Sequence, residues 1–129
     1  MGRCYSLKCT KCRYTLEYNQ GEGALHSMEA MTLLENMQRG KLGKQFKDAA
    51  NNAAAPWVEF SRELYRCDKC GKLRSDMKIE LLDGGKVILS KSHPCRRCRT
   101  PMSIVEGPDG LKCPKCKSDL AIADMLLWD

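Results

Sequence analysis

Eight of the nine cysteines stand in four units of identical spacing: Cys9-Thr-Lys-Cys12, Cys67-Asp-Lys-Cys70, Cys95-Arg-Arg-Cys98 and Cys113-Pro-Lys-Cys116. Two thiolates separated by two residues can wrap one cation while the intervening amides turn toward sulfur. Two such units complete a tetrahedral four-sulfur site of the kind structural zinc prefers. The spacing therefore predicts two structural Zn²⁺ ions held by Cys9, Cys12, Cys67, Cys70, Cys95, Cys98, Cys113 and Cys116. Cys4 is left over, as a spectator or a competing ligand. Identical spacing and an odd cysteine count argue against disulfides. Met1-Gly2-Arg3-Cys4 lacks the apolar core of a secretory leader, which sets the expectation of a reducing, cytoplasmic setting. Only 6% of the 129 residues are aromatic, so few large side chains are on hand to fill a core, and metal must supply part of the folding free energy.

Four units can form two sites in three ways: sequential, nested or interleaved. Between Cys98 and Cys113 lies only the short stretch from Arg99 to Lys112. It reads as strand, turn and strand: Met102 to Glu106, Gly107-Pro-Asp-Gly110, then Leu111-Lys112. A hairpin of that length closes a site with little loop entropy. The reading is therefore sequential, with Cys95, Cys98, Cys113 and Cys116 in one site and Cys9, Cys12, Cys67 and Cys70 in the other. The second set closes across the much longer stretch from Arg13 to Arg66, at a closure cost that grows only logarithmically with length.

The stretch from Cys95 to Cys116, with a proline inside its last knuckle and a strand after it, resembles a zinc ribbon. The first site resembles a second, rubredoxin-like ribbon carrying a helical insertion. The resemblance covers the knuckles and their flanking strands and implies a small, zinc-stabilised α+β fold of two ribbon-like lobes. Such proteins often carry Gly just after the second Cys of a knuckle. Gly71 fits; Arg13, Arg99 and Lys117 depart, which counts against iron electron transfer. Zinc ribbons serve nucleic-acid binding, protein docking and structural support, so the family does not choose a function.

Residues 3–20 read as strand, knuckle and return strand, with Tyr14, Leu16 and Tyr18 on one face. These tyrosines are read as packing residues before a stacking platform for bases. After a break at Gly21-Glu-Gly23, helical spacing begins at Ala24 and runs through Leu25, Met28, Met31, Leu34 and Met37 to Gly40 and Gly43. Leu42, Phe46, Ala49, Ala50 and Ala53 mark a second helix. Trp57, Phe60 and Leu64, opened by Pro56, suggest a third. The insertion thus spans about 24–63, and its methionines are read as core before docking surface. Residues 77–90 form a hairpin around Asp83-Gly-Gly85. The first lobe is placed at 1–82 and the second at 83–129, joined through that hairpin in one compact body. The apolar tail from Leu120 to Trp128 is read as a strand or a short helix.

The formal charge of +6 counts cysteine as neutral. Eight thiolates subtract eight and two divalent cations restore four, so the metallated protein stands near +2. Distribution says more. Lys86, Lys91, Arg96, Arg97 and Arg99 have no acidic residue among them, nor do Lys8, Lys11 and Arg13. Basic residues near a Zn(Cys)₄ centre of charge −2 can simply neutralise it. Two arginines within one knuckle exceed that need, and guanidinium suits phosphate.

Cysteines saturate each zinc, so no position is open for water or substrate. His26 and His93 lie in separate segments, His26 at the surface and His93 beside a knuckle. Glu59 and Glu63 suggest no pocket, and no apolar run approaches the roughly 18 residues of a membrane span. The expectation is a non-enzymatic, zinc-stabilised binding module without a small-molecule substrate or a membrane association. Its nucleic-acid contacts would be Lys91, Arg96, Arg97 and Arg99, with Lys8, Lys11 and Arg13 as a second strip. The alternative is a protein-docking adaptor using the Met-rich helices or the tail at Trp128; a minor one is a rubredoxin-like iron electron carrier.

Overall fold

The computed structural model describes residues 2–21 and 26–128. Residues 22–25 lie outside the described residues, as do the side chains of His26 and Trp128. With them go the Gly23 end of the expected break, the helix onset at Ala24 and Leu25, the surface place of His26 and the docking role of Trp128.

The chain is mostly antiparallel sheet with two helices. Strands β1 (Gly2–Cys9) and β2 (Thr15–Gly21) form a hairpin, followed by α1 (His26–Gln38) and α2 (Lys44–Asn52). Strands β3 (Pro56–Arg66), β4 (Leu73–Asp83) and β5 (Lys86–Ser90) form a meander, and β6 (Ser103–Val105) and β7 (Leu120–Trp128) complete the sheet. The strand order is β5-β4-β3-β2-β1-β7, with β6 also paired to β3.

The 77–90 hairpin forms where expected, within β4 and β5. Gly84 and Gly85 take φ of 60° and 87°, the left-handed pair that a two-residue hairpin turn needs. The tail is a strand laddered along β1 from Cys9↔Leu120 to Gly2↔Trp128.

The expected third helix is a strand. Pro56–Arg66 pairs along its whole length with β4, from Pro56↔Asp83 to Arg66↔Leu73. Trp57, Phe60 and Leu64 fit a helical period, but Trp57, Val58, Phe60 and Tyr65 are side chains that suit a pleated sheet. The long ladder with β4 settles the conflict. The hairpin expected between Cys98 and Cys113 does not form either. Ser103–Val105 pairs with β3 at Arg66, Tyr65 and Leu64, and Leu111 is buried elsewhere, accepting a bond from the Leu120 amide.

Three apolar clusters result. The first joins Tyr5, Leu7 and Tyr18 to Leu64, Leu73, Leu111 and Leu120. The second packs Ala30, Met37, Phe46 and Ala50 of the helices on Val58, Phe60, Ile79 and Leu81 of the β3–β4 hairpin. The third holds Tyr65 and Met102 around Cys67 and Cys95. Of the helix methionines, Met37 is core as expected, whereas Met28 and Met31 are 65% and 55% exposed. Tyr5 and Tyr18 stack on each other with centroids 5.2 Å apart and belong to the core.

Leu64 is fully buried and belongs to the cluster that ties the β3–β4 hairpin to β1, β2 and β7. Leu64→Ala is expected to destabilise the protein by about 2–5 kcal/mol through lost transfer energy plus the cavity left behind. A denaturant midpoint shifted by less than about 1 kcal/mol equivalent would show that this core is not tightly packed.

Candidate metal centres and the cleft between them

The four knuckles are one local structure used four times. Each first cysteine sits one residue past a backbone pair that closes the knuckle: Lys8↔Thr15, Arg66↔Leu73, Pro94↔Pro101 and Lys112↔Asp119. Its amide donates five residues ahead, as Cys9 to Tyr14 O, Cys67 to Lys72 O, Cys95 to Thr100 O and Cys113 to Ser118 O. In the last three knuckles the residue after the second cysteine donates back to the first cysteine's carbonyl: Gly71 to Cys67, Arg99 to Cys95 and Lys117 to Cys113. All three residues have positive φ: 80° at Gly71, 59° at Arg99 and 65° at Lys117. Arg99 and Lys117, two of the three departures from glycine, thus keep the glycine conformation, at a cost of about 1–2 kcal/mol each for a side chain there, whereas Arg13 does not take it.

The eight knuckle cysteines form two groups, and the pairing is nested. Cys9 and Cys12 join Cys113 and Cys116, and Cys67 and Cys70 join Cys95 and Cys98, with the sulfurs of each group within 4.8 Å of one another. This corrects the sequential reading. Its physical cause is the sheet. The strand after the fourth knuckle, β7, ladders onto β1, which enters the first knuckle. The strand after the third, β6, ladders onto β3, which enters the second. An inner lobe is therefore nested within an outer one. The expected boundary at 82/83 falls in the last residues of β4, between the second and third knuckles, and each group draws two cysteines from either side of it.

Sulfur separations fit a cation. Cys9 and Cys116 Sγ lie 3.3 Å apart, Cys12 and Cys113 3.5 Å, and Cys70 and Cys95 3.7 Å. A disulfide needs about 2.0 Å, whereas metal–sulfur bonds of about 2.3 Å give a tetrahedron edge of about 3.8 Å. All nine cysteines are free thiols, and Cys4 belongs to neither group.

Amides prepare the sulfurs for charge. Lys11 and Cys12 N–H point at Cys9 Sγ, and Lys115 N–H at Cys113 Sγ. The Cys70 amide, opposed by desolvation, draws the Cys67 thiol down to about 6. Ser118 draws Cys116 down to about 6. Two thiols go the other way. The Tyr14 amide pulls Cys12 down, but desolvation and the thiols of Cys9, Cys113 and Cys116 outweigh it and push it up to about 12. The thiol of Cys70, with desolvation and Cys67, pushes Cys98 up to about 12. Four crowded thiols cannot all ionise unaided. A divalent cation supplies the missing positive charge, so each group could hold one metal ion.

His93 lies against Tyr65, a member of the cluster that holds Cys67 and Cys95. Its ring is buried and stacks on Tyr65 with centroids 4.1 Å apart, and its Nε2–H donates to Met77 O at 2.8 Å. Burial lowers its pKa, opposed by the Met77 carbonyl and by Asp76.

The two groups are physically linked. Lys117 Nζ, beside the outer group, donates to Cys70 O of the inner group at 3.1 Å. A Cβ on Gly71 would stand 3.0 Å from that ammonium. Between the groups lies a cleft of about 300 Å³ lined by Tyr14, Lys72, Leu73, Arg97, Pro114 and Lys115 together with Cys70. A second cleft of about 230 Å³ shares Lys72 and adds Arg74, Arg96 and Met102.

Of the basic residues singled out by sequence, Arg96 and Arg97 thus line adjoining clefts. Arg99 is exposed in its left-handed position. Lys91 is different: its ammonium lies 3.8 Å from Asp76, which also meets Arg74 at 3.6 Å. Lys8, Lys11 and Arg13 are exposed on the outer lobe, and Lys11 lies near Asp119, whose carboxyl Lys112 holds below its ordinary pKa. Sequence reasoning misses Lys72 and Lys115 as site residues, because each sits beside or within a knuckle whose partner knuckle is remote along the chain. No helix among the described residues is long and apolar enough to cross a membrane.

Comparison with protein-family models, curated proteins and solved structures gives no match.

Proposed function

We propose that the protein is a non-enzymatic module of two nested zinc ribbons that associates with nucleic acid through its basic knuckle surface. Zinc fits an all-thiolate, four-ligand donor set, which leaves no open coordination position for water or substrate. The observation that carries the nucleic-acid reading is the run of cations at the junction of the two centres. Arg96, Lys72, Arg97 and Lys115 line two clefts that share Lys72. Arg99 adds a further cation held in a backbone conformation that disfavours any side chain. Neutralising two centres of charge −2 does not require cations gathered side by side, whereas a run of adjacent cations is the footprint of a phosphate-binding surface.

The expected result is binding to mixed-sequence nucleic acid that weakens steeply as salt rises. Arg96→Ala/Arg97→Ala/Arg99→Ala should flatten the plot of log affinity against log salt by about 2–3. Wild-type protein that fails to bind even at low salt would reassign these arginines to neutralising the metal centres.

A second reading has its own support. Met28 and Met31 are exposed, and Met28, Leu33, Phe60 and Met77 line an apolar groove of about 310 Å³ between α1 and the sheet. Methionine-rich grooves adapt to apolar partners, which favours protein docking at a face opposite in character to the basic clefts.

A further inference from the structure

We infer that the cleft between the two four-cysteine groups takes a single-stranded nucleic-acid segment, with a base against the Tyr14 ring and phosphates on Lys72, Arg97 and Lys115. The inference rests on the nucleic-acid reading above and deepens it. Three features of the cleft point to an unpaired strand.

The first is its chemistry. Among the described residues, three exposed cations and no carboxylate line it, and its apolar surface comes from Tyr14, Leu73 and Pro114. Cations beside one aromatic ring over an apolar floor match a phosphate linked to a planar base. The sequence places no aromatic next to Arg96–Arg99; the fold supplies one from the first knuckle, remote from Arg97 along the chain.

The second is its shape. At about 300 Å³ it is the size of a small-ligand pocket. A duplex presents phosphates and base edges on a broad convex surface and hides its base faces in the stack. A ring lining a cleft reaches a base face only when the base is unpaired.

The third is continuity. Lys72 belongs to this cleft and to the adjoining one lined by Arg96. Arg96, Lys72, Arg97 and Lys115 thus form one track past both metal centres, able to meet several phosphates. The Lys117–Cys70 bond holds the two lobes that form its walls. Tyr5 and Tyr18 stack on each other in the core, whereas Tyr14, half-buried against the edge of the same cluster, also lines the cleft.

The test compares a mixed-sequence oligonucleotide of about 20 nucleotides, single-stranded, with its duplex, across a salt series on metal-loaded protein. Wild type should prefer the single strand by about tenfold or more, with a salt slope of about −3 for four phosphate contacts. Arg97→Ala should flatten that slope by about 0.7. Tyr14→Leu keeps the apolar packing but removes the stacking face, and should weaken single-strand binding about 5- to 100-fold while leaving the slope and the metal content unchanged. Tyr14→Phe should bind within about twofold of wild type, because it keeps the face. Equal affinity for duplex and single strand, or an unaffected Tyr14→Leu, overturns this inference and leaves phosphate association standing. Absence of salt-dependent binding to either probe overturns both.

Discussion

Replacing Cys9 with alanine will empty the outer metal centre and leave the inner one filled. Cys12, Cys113 and Cys116 should become open to alkylation, while Cys67, Cys70, Cys95 and Cys98 stay protected, because the sulfurs group in that way. Metal content should fall by half, and peptide mapping of alkylated protein reads which four thiols remain closed. The outer lobe should lose most of what a structural zinc contributes, roughly 10–16 kcal/mol in small zinc-binding peptides. That exceeds the effect of most single substitutions, and Cys9 and Cys113 are also members of the first apolar cluster. Cys4→Ser is the control: it belongs to neither group and should keep the full metal content. Loss of protection at Cys67 and Cys70, with Cys113 and Cys116 still closed, would restore the sequential pairing and discard the nested one.

Removing both ions with a strong chelator should unfold the chain. A typical domain is stable by about 5–15 kcal/mol in total, and each structural zinc contributes an amount of that size. Two of the three apolar clusters are built around ligand cysteines: Cys9 and Cys113 in one, Cys67 and Cys95 in the other. Without a cation, thiols such as Cys12 and Cys98, pushed up to about 12, stay protonated among their neighbours. The knuckles then lose the charge that orients their amides. The helix-bearing cluster of Ala30, Met37, Phe46 and Ala50 contains no cysteine, but it packs on β3 and β4, which enter and leave the second knuckle. Loss of near-ultraviolet circular dichroism on chelation, restored by added Zn²⁺, is the expected result. An unchanged spectrum in metal-free protein would mean that the apolar clusters suffice alone.

Much of this architecture can be read from local spacing. The eight ligands, the knuckle turns, the β1–β2 and β4–β5 hairpins and the two helices all follow from patterns a few residues long. The amide that closes each knuckle reaches only five residues ahead, as from Cys95 to Thr100. Neighbouring sequence therefore carries enough information to specify it. The left-handed turn at Arg99 and Lys117 is harder to see, because the knuckle imposes a conformation that neither residue advertises.

Pairing of the knuckles is a different kind of question. The sequential choice leans on the short connection from Arg99 to Lys112, whereas the nested arrangement closes the outer site across the whole stretch from Arg13 to Lys112. Loop entropy separates those closures by only about 2 kcal/mol. The ladders of β7 on β1 and β6 on β3 outweigh it. The same non-local pairing turns Pro56–Arg66 into a strand, sets Lys91 against Asp76, and places Tyr14 in one cleft with Lys72, Arg97 and Lys115. Sequence by itself determined which side chains can bind metal and how each knuckle turns, because those are short-range constraints. Tertiary structure alone decided which knuckles come together and what lies between them, because strand pairing joins residues whose separation along the chain costs little free energy and leaves no local trace.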